Sequence, residues 1–266
     1  MFDVSYEGIK RTIILLGIVQ ARMVPLLLML PFMSRNLVPR TVTFGIAAGL
    51  GLVVVPILPD SLVVNVDAGL LFVIAKEAMV GVIVGFVCAI PFWVMDAVGF
   101  IVDNQRGASM AATINPLTGH DTSPVGMLLN MAFITFFFAV GGLAVLLDVI
   151  YHGYRLWPPD TFWPVFDLKS GTVIFEQINR LVLLSLLLSS PALVIMFMAE
   201  LGLALVSRFA PQLQVFFLAM PIKSALGIFV LVIYASTLFE FGADYLRDLR
   251  NWTGRLDQVL GGSASR

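Results

Sequence analysis

The chain has 266 residues, of which 59% are apolar and only 12% are charged, about half the charged share of a typical soluble domain. A soluble fold of this length would need far more charge to cover its surface. Lipid or a very large protein interface must therefore surround much of the chain. The net charge of −1 provides no basic surface for phosphates, which argues against a nucleic-acid partner.

Long apolar runs recur along the whole chain. About six of them are long enough to cross a bilayer of about 30 Å as helices, which takes about 20 residues each. They are Ile13–Met33, Thr41–Pro59, Ala68–Met95, Thr122–Leu147, Leu181–Ala199 and Ser224–Phe239, the last after the proline-interrupted stretch Phe209–Ile222. Because these runs are continuously apolar rather than alternating, the sequence predicts an all-α polytopic membrane protein with partly proline-broken helices, and not a β-barrel.

Two joining segments and a C-terminal tail complete the predicted organisation. Asp96–Gly126 is rich in small, polar and turn residues, and Tyr151–Asn179 carries aromatic residues that are typical of a membrane–water boundary. In Asp244–Val259, apolar residues recur at steps of three and four. This spacing predicts an amphipathic helix that lies on the lipid surface, caps the helix bundle or docks on a partner.

Eight ionisable residues lie inside or at the ends of apolar runs, where each needs a partner or water. They are Arg22, Lys76, Glu77, Asp96, Asp148, Glu200, Lys223 and Glu240. Lys76 and Glu77 are neighbours that point about 100° apart on a helix, so we do not expect them to pair with each other. Glu200 and Lys223 could pair across a hairpin. The eight charges fit either an ion relay, as in a secondary transporter, or pins that fix helices and subunits together.

The sequence offers no constellation for catalysis. Its two histidines, His120 and His152, and its single cysteine, Cys88, have no metal-ligating neighbours at the usual spacing. It contains neither a phosphate-binding glycine loop nor a nucleophile–base pattern. We therefore expect a protein that is not an enzyme and that holds no cofactor and no metal.

The segment 103–126 is dominated by small residues, and Asn115-Pro116 and Thr118-Gly119 are turn signals. Irregular backbone at membrane depth persists only where it is buried in protein or lines a wet cavity. The segment is therefore either a connector in water or the filling of a protein-lined lumen. Composition alone favours the connector.

Several motifs, in their order and spacing, resemble those of the SpaR/YscT/FliR family, the SctT-type export-apparatus proteins of type III secretion systems. The motifs include Asp103-Asn104-Gln105-Arg106-Gly107-Ala108, Lys76-Glu77 followed by Gly81 and Gly85, Arg208-Phe209-Ala210-Pro211-Gln212, and Pro221-Ile222-Lys223. The resemblance covers about residues 10–245. The Asn-Gln-Arg-Gly version is more similar to the injectisome branch, which serves virulence, than to the flagellar branch.

The resemblance implies a multi-pass subunit of the bacterial inner-membrane export gate, which forms and seals the entrance of the channel for unfolded secreted proteins. It implies SctR-type, SctS-type and SctU-type partners, besides membrane lipid and secreted proteins in transit. It divides the chain into an SctR-like four-helix half (residues 1–170), an SctS-like helical hairpin (171–243) and a C-terminal helix and tail (244–266). In such complexes the helices are raised toward the periplasmic base of the machine.

The resemblance also implies roles for single residues. It makes the loop a plug of the closed channel, which reverses the preference for a connector. The predicted plug residues are Gly107, Ala108, Ser109, Met110, Ala111, Ala112, Thr113, Ile114, Asn115, Pro116, Leu117, Thr118 and Gly119. The predicted intersubunit charges are Arg22, Lys76, Glu77, Arg106, Glu200, Arg208 and Lys223. The alternative function is a secondary transporter that uses the intramembrane charges.

Overall fold

The computed structural model describes residues 6–34, 37–58, 66–108, 123–160, 168–210 and 215–261. Within these ranges the chain is helical and contains no strand, which confirms the predicted all-α class. The helices of these ranges are α1 (Tyr6–Met29), α2 (Arg40–Val54), α3 (Val66–Arg106), α4 (Pro124–Ala139), α5 (Gly142–Leu156), α6 (Leu168–Phe209) and α7 (Val215–Gly261). Short 3₁₀ turns occupy Pro31–Met33 and Val55–Ile57.

Among the described residues, four helices contain a stretch that is long and apolar enough to cross a membrane. These stretches are Gly8–Met29, Leu70–Arg106, Phe175–Phe209 and Leu218–Leu249, and the broken pair α4 and α5 would make a fifth span. The predicted span Thr41–Pro59 does not reach this length, because α2 has only 15 residues and the 3₁₀ turn at Pro56 follows it. The predicted number of about six spans is therefore approximate: the described residues contain four, or five with the bent pair.

The predicted joining segments are shorter than expected, because helices extend into both of them. α3 continues through Asp96 as far as Arg106, since Val98 and Val102 are fully buried on its inner face. It ends at Gly107, whose φ of +86° is a conformation that glycine adopts readily and that often terminates helices. In the second segment, α5 extends to Leu156 and α6 already begins at Leu168.

The C-terminal amphipathic segment is not a separate helix. α7 runs without interruption from Val215 to Gly261 and includes all of Asp244–Val259. No proline follows Pro221 in the sequence, so nothing in the chain forces a break there. The predicted amphipathic pattern is confirmed over its first turns, where Tyr245 and Leu249 are buried while Arg247 is exposed.

The chain folds into two compact units. Unit 1 combines Met1–Ile90, Gly142–Ile174 and Leu246–Arg266, and unit 2 combines Pro91–Gly141 and Phe175–Tyr245. The boundary in α3 falls at Pro91, a residue that removes one backbone hydrogen bond from the helix.

In unit 1, α3 crosses α1 at very short range. A Cβ atom on Gly81 would overlap the backbone of Arg22, and one on Gly85 would lie 2.8 Å from the carbonyl oxygen of Leu26. Glycines spaced four residues apart share one helix face and let two backbones approach closely. This contact brings α1 and the charged residues of α3 together.

In unit 2, aromatic packing and a second glycine contact join α3 to α4. Phe92 meets Phe133 and Phe137 in edge-on arrangements, with ring centroids 5.0 and 5.1 Å apart. Further along, a Cβ atom on Gly99 would overlap the backbone at Gly126. The end of α3 therefore lies directly against the start of α4.

Candidate functional site

Unit 1 buries a cluster of three charged side chains that two helices supply. Arg22 comes from α1, and Lys76 and Glu77 come from α3. The Nε atom of Arg22 donates to Oε2 of Glu77 at 2.6 Å, and Nζ of Lys76 lies 3.0 Å from Oε1 of the same carboxylate. The expectation that Lys76 and Glu77 would not pair is therefore wrong. The flexible lysine side chain bends along the helix surface to the neighbouring carboxylate.

The cluster holds two cations and one carboxylate, and backbone carbonyl groups accept further hydrogen bonds from the two cations. Arg22 also donates to the carbonyl oxygens of Gly153 at 3.1 Å and Trp157 at 2.6 Å. Lys76 donates to the carbonyl oxygen of Pro159 at 3.0 Å. These acceptors belong to the last turn of α5 and the residues after it, where the helix dipole is negative, and the Gly153 carbonyl also accepts from the backbone N–H of Trp157 at 3.0 Å.

Tyr154 of α5 adds a neutral aromatic side chain to the cluster. Its ring lies 4.2 Å from the guanidinium carbon of Arg22, which is a cation–π contact, and its hydroxyl donates to the carbonyl oxygen of Val19 at 3.2 Å. The side chains of Arg22, Lys76 and Glu77 are 2%, 6% and 0% exposed. We call Arg22, Lys76, Glu77 and Tyr154 the buried charge cluster. It binds α1, α3 and the end of α5 to one another inside this chain.

Unit 2 carries a different polar arrangement where α3 ends and α4 begins. Oδ2 of Asp103 accepts hydrogen bonds from the Ser123 hydroxyl at 2.5 Å and from the backbone N–H of Val125 at 2.9 Å. Its Oδ1 atom accepts from Nε of Arg106 at 2.6 Å. We call Asp103, Arg106, Ser123 and the Val125 amide the Asp103 clasp. The clasp ties together the two ends of the segment 109–122.

Local sequence signals explain why both helix ends are placed for this contact. At the end of α3, the N–H groups of Gly107 and Ala108 bond back to the carbonyls of Asn104 and Asp103, as in common helix C-caps. At the start of α4, Ser123 is the N-cap: its hydroxyl accepts from the Gly126 N–H at 2.9 Å, and a proline follows it at the first helical position.

A third polar contact links α6 and α7 within unit 2. Nζ of Lys223 lies 3.2 Å from Oε2 of Glu200, so the two residues pair across the hairpin, as the sequence suggests. The same oxygen lies 3.5 Å from Nε2 of Gln105. Glu200 is 48% exposed and Lys223 is 12% exposed, so this pair lies at the surface of the unit.

The structure places some of the predicted site residues and not others. Of the plug residues, Gly107 and Ala108 close the end of α3, and 109–119 lie outside the described residues. Of the predicted intersubunit charges, Arg22, Lys76, Glu77 and Arg106 have partners within the chain, whereas Arg208 is exposed in the last turn of α6. Over the residues that the structure describes, no group of three histidine, cysteine or acidic side chains could hold a metal ion.

Sequence reasoning missed Asp103 and Ser123 as paired residues. Two signals pointed to them: Asp103 and Arg106 stand three residues apart, which places them on one helix face, and Ser123-Pro124 is a helix-start signature. The carbonyl acceptors at residues 153–159 left no signal, because any residue has a backbone carbonyl.

These features define a class: a multi-pass membrane protein whose intramembrane charges hold its own helices together. Comparison with known proteins then gives the particular family. The family described as "Bacterial export proteins, family 1" matches residues 13–249, and the chain belongs to it.

Several relatives cover most of the chain. It is 41% identical over 234 residues to the Yop proteins translocation protein T of Yersinia pestis, which covers 87% of this chain and 90% of the relative. It is 32% identical over 245 residues to the surface presentation of antigens protein SpaR of Shigella flexneri, with 89% and 92% covered. The flagellar biosynthetic protein FliR of Bacillus subtilis is 26% identical over 211 residues, with 79% and 82% covered.

The family match and these relatives confirm the predicted family. The identities are higher to the translocation and surface-presentation proteins than to the flagellar protein. The injectisome branch is therefore favoured.

Proposed function

We propose that the chain is a structural, non-enzymatic subunit of the inner-membrane export gate of a type III secretion system. It forms and seals the entrance of the channel for unfolded secreted proteins. Family membership supports the export role. The structure adds one supporting observation: little of the most apolar windows of α6 and α7 is buried within this chain, so these faces are open to other subunits and to lipid.

The burial of α6 and α7 bears on this inference. The helical spans Phe175–Phe209 and Leu218–Leu249 have 35 and 32 residues, so each helix extends about 50 Å at about 1.5 Å per residue, and each has a markedly apolar window within it. The hydrocarbon core of a bilayer is only about 30 Å thick. Within this chain, 28% and 17% of their most apolar windows are buried, against 67% for α3. We infer that other subunits of the gate, together with lipid, cover the apolar surface that remains.

We assign this covering role to helical membrane partners of the SctR, SctS and SctU types, with lipid over the rest. Contact with such partners also raises the long helices out of a flat bilayer, toward the periplasmic base of the machine. The SctR-like half, residues 1–170, and the SctS-like hairpin, 171–243, would each pack beside the subunit type that it resembles. Exposed charges at the surface, Glu200 with Lys223 and Arg208, would contact neighbouring subunits.

We assign the seal to the loop that begins at Gly107 and includes residues as far as Gly119. Small side chains dominate it, so it fills a narrow lumen closely and yields when a secreted chain is pushed through. Its two ends are fixed by the Asp103 clasp, which a freely swinging connector in water would not need.

The transporter alternative has less support. Transporters of this kind use discontinuous helices around a central site. Here Pro25, Pro91, Pro191 and Pro221 lie inside helices that continue past them, and α4 with α5 is the one broken pair found among the described helices. The buried charges are engaged by each other and by backbone carbonyls, which leaves them as structural ties.

Deleting residues 109–119 tests the seal. Passive permeability of the inner membrane to small solutes is measured in the deletion strain and its parent, normalised to the amount of assembled complex. We expect the deletion strain to leak while the complex still assembles. A deletion strain that stays as tight as its parent would show that the loop is not the seal.

A further inference from the structure

One carboxylate of unit 2 has no counter-charge within the described part of the chain. Asp96 is an exposed residue inside α3, within the apolar stretch Leu70–Arg106. Among the described residues, no hydrogen bond or ion pair reaches its carboxylate. Arg106 lies about 15 Å further along the helix, at about 1.5 Å per residue, and is engaged by Asp103 instead. Asp96 therefore differs from Glu77 and Asp103, whose charges are met inside the chain.

The Asp96 carboxylate lies against the surface of α4, beside a second acceptor. Its Oδ1 atom is 3.0 Å from the position that a Cβ atom on Gly126 would occupy. Asn130 is one turn further along α4, on the same face of that helix. The amide oxygen of Asn130 is buried and accepts no hydrogen bond. A charged acceptor and a neutral acceptor thus lie about one helical turn apart, and both lack a donor.

α7 does not cover this side of the α3–α4 pair. It lies against Val102 of α3 and Phe136 of α4. At about 100° per residue, Val102 is about 120° around α3 from Asp96, and Phe136 is about 120° around α4 from Asn130. The side that carries Asp96 and Asn130 is therefore open to a further helix.

The surroundings of Asp96 decide what chemistry can cover it. Phe100 and Met127 beside it are 47% and 49% exposed, so apolar surface adjoins the carboxylate. A carboxylate in such a place needs a counter-charge, and a buried amide oxygen needs a donor. A lysine ammonium or an arginine guanidinium supplies a positive charge and several N–H groups together. A calcium or magnesium ion takes about six oxygen ligands, which is more than these two side chains supply.

We infer that Asp96 and Asn130 form a contact for a basic side chain of a neighbouring helical membrane subunit. The lysine or arginine of that subunit pairs with Asp96, and one of its N–H groups donates to the Asn130 amide oxygen. A lipid amine does not fit this place, because apolar residues flank Asp96 on both sides in α3 and headgroups lie at the bilayer surface. The inference rests on the proposed function, and it adds the position and the chemistry of one subunit contact.

Substitutions in the native host test the contact. The tagged chain carries Asp96→Asn or Asp96→Glu. Asp160→Asn is the matched control, because it also removes one exposed carboxylate, from a turn outside the helices. Two quantities are measured for each variant: the amount of hetero-oligomeric complex recovered in mild detergent, and the melting temperature of the chain purified alone.

We expect Asp96→Asn to lower the recovered complex by about threefold or more relative to Asp160→Asn, which is the order of one partly exposed ion pair. Asp96→Glu should restore most of the complex, and the melting temperature of the chain alone should not change. Equal recovery for Asp96→Asn and Asp160→Asn would overturn the inference. A fall in the melting temperature of Asp96→Asn would also overturn it, because Asp96 would then act inside its own chain.

A photoreactive p-benzoylphenylalanine in place of Phe100, one turn from Asp96, identifies what covers this side. We expect a crosslink to a segment of another subunit that contains lysine or arginine. Crosslinks only to lipid, to this chain or to a segment without a basic residue would contradict the contact. If the parent chain recovers no other subunit, the proposed gate fails first. If it recovers the complex and Asp96→Asn recovers as much, the contact fails and the gate stands.

Discussion

The buried charge cluster and the Asp103 clasp place charges of the same kind in two different settings. In the cluster, two cations share one carboxylate at 2.6 and 3.0 Å, and the end of α5 supplies carbonyl acceptors for the remaining charge. In the clasp, one carboxylate serves one cation and two neutral donors. The cluster joins three helices through side chains that are almost completely buried. The clasp joins only two helix ends beside a loop.

This difference shows that ionisable residues in apolar helices serve different structural roles. Removing the Glu77 carboxylate takes away the anion that two buried cations of unit 1 share, which threatens the fold. Removing a member of the clasp loosens one joint and leaves the surrounding packing in place. The following substitutions separate these two outcomes, from the largest expected effect to the smallest.

Glu77→Gln should be the most damaging change. It replaces the carboxylate that Arg22 and Lys76 share at 2.6 and 3.0 Å with a neutral amide, at a site where all three side chains are almost completely buried. Breaking a buried pair in this way costs about 3–5 kcal/mol. Thermal unfolding of the purified protein in mild detergent measures it. Glu240→Gln, at an exposed position of α7, is the control and should leave the melting temperature nearly unchanged.

Gly81→Ala should destabilise unit 1 by a steric route. The new methyl group would overlap the backbone of Arg22, so α1 and α3 must separate and the cluster must stretch. Overpacking of this kind costs about 1–3 kcal/mol. Gly45→Ala on α2 is the control, because a methyl group there meets nothing within 4 Å. Equal melting temperatures for the two variants would contradict the close crossing.

Tyr154→Phe should have a smaller effect. It keeps the ring beneath Arg22 and removes only the hydroxyl that donates to the Val19 carbonyl at 3.2 Å. The loss of one buried hydrogen bond costs about 1 kcal/mol. A melting temperature as low as that of Glu77→Gln would show that the hydroxyl, and not the carboxylate, organises the cluster.

Lys223→Gln should have the smallest effect on the stability of the chain itself. Its partner Glu200 is half exposed, and such pairs contribute about 0–1 kcal/mol. If this pair contacts a neighbouring subunit as proposed, the recovered amount of complex should fall more than the melting temperature does. Unchanged recovery would assign the pair to the α6–α7 hairpin alone.

Much of the fold was predictable, because continuous apolar runs in a chain with 12% charged residues leave few alternatives to membrane helices. The Glu200–Lys223 pair and the family were also readable from the sequence. The helix ends were harder to predict. The turn-rich composition of Asp96–Gly126 gave no sign of the buried face along which α3 extends to Arg106. The contacts of Arg22 and Lys76 depend on where the end of α5 lies, which tertiary packing decides.

The central claim is that this chain is one subunit of a hetero-oligomeric export gate. The most direct measurement is the intact mass of the complex that copurifies with the tagged chain from its native host in mild detergent. The account predicts one copy of the chain bound to several copies of two other small helical membrane proteins. A lone monomer or a homodimer would contradict it, since the chain would then have no other kind of subunit with which to form a gate.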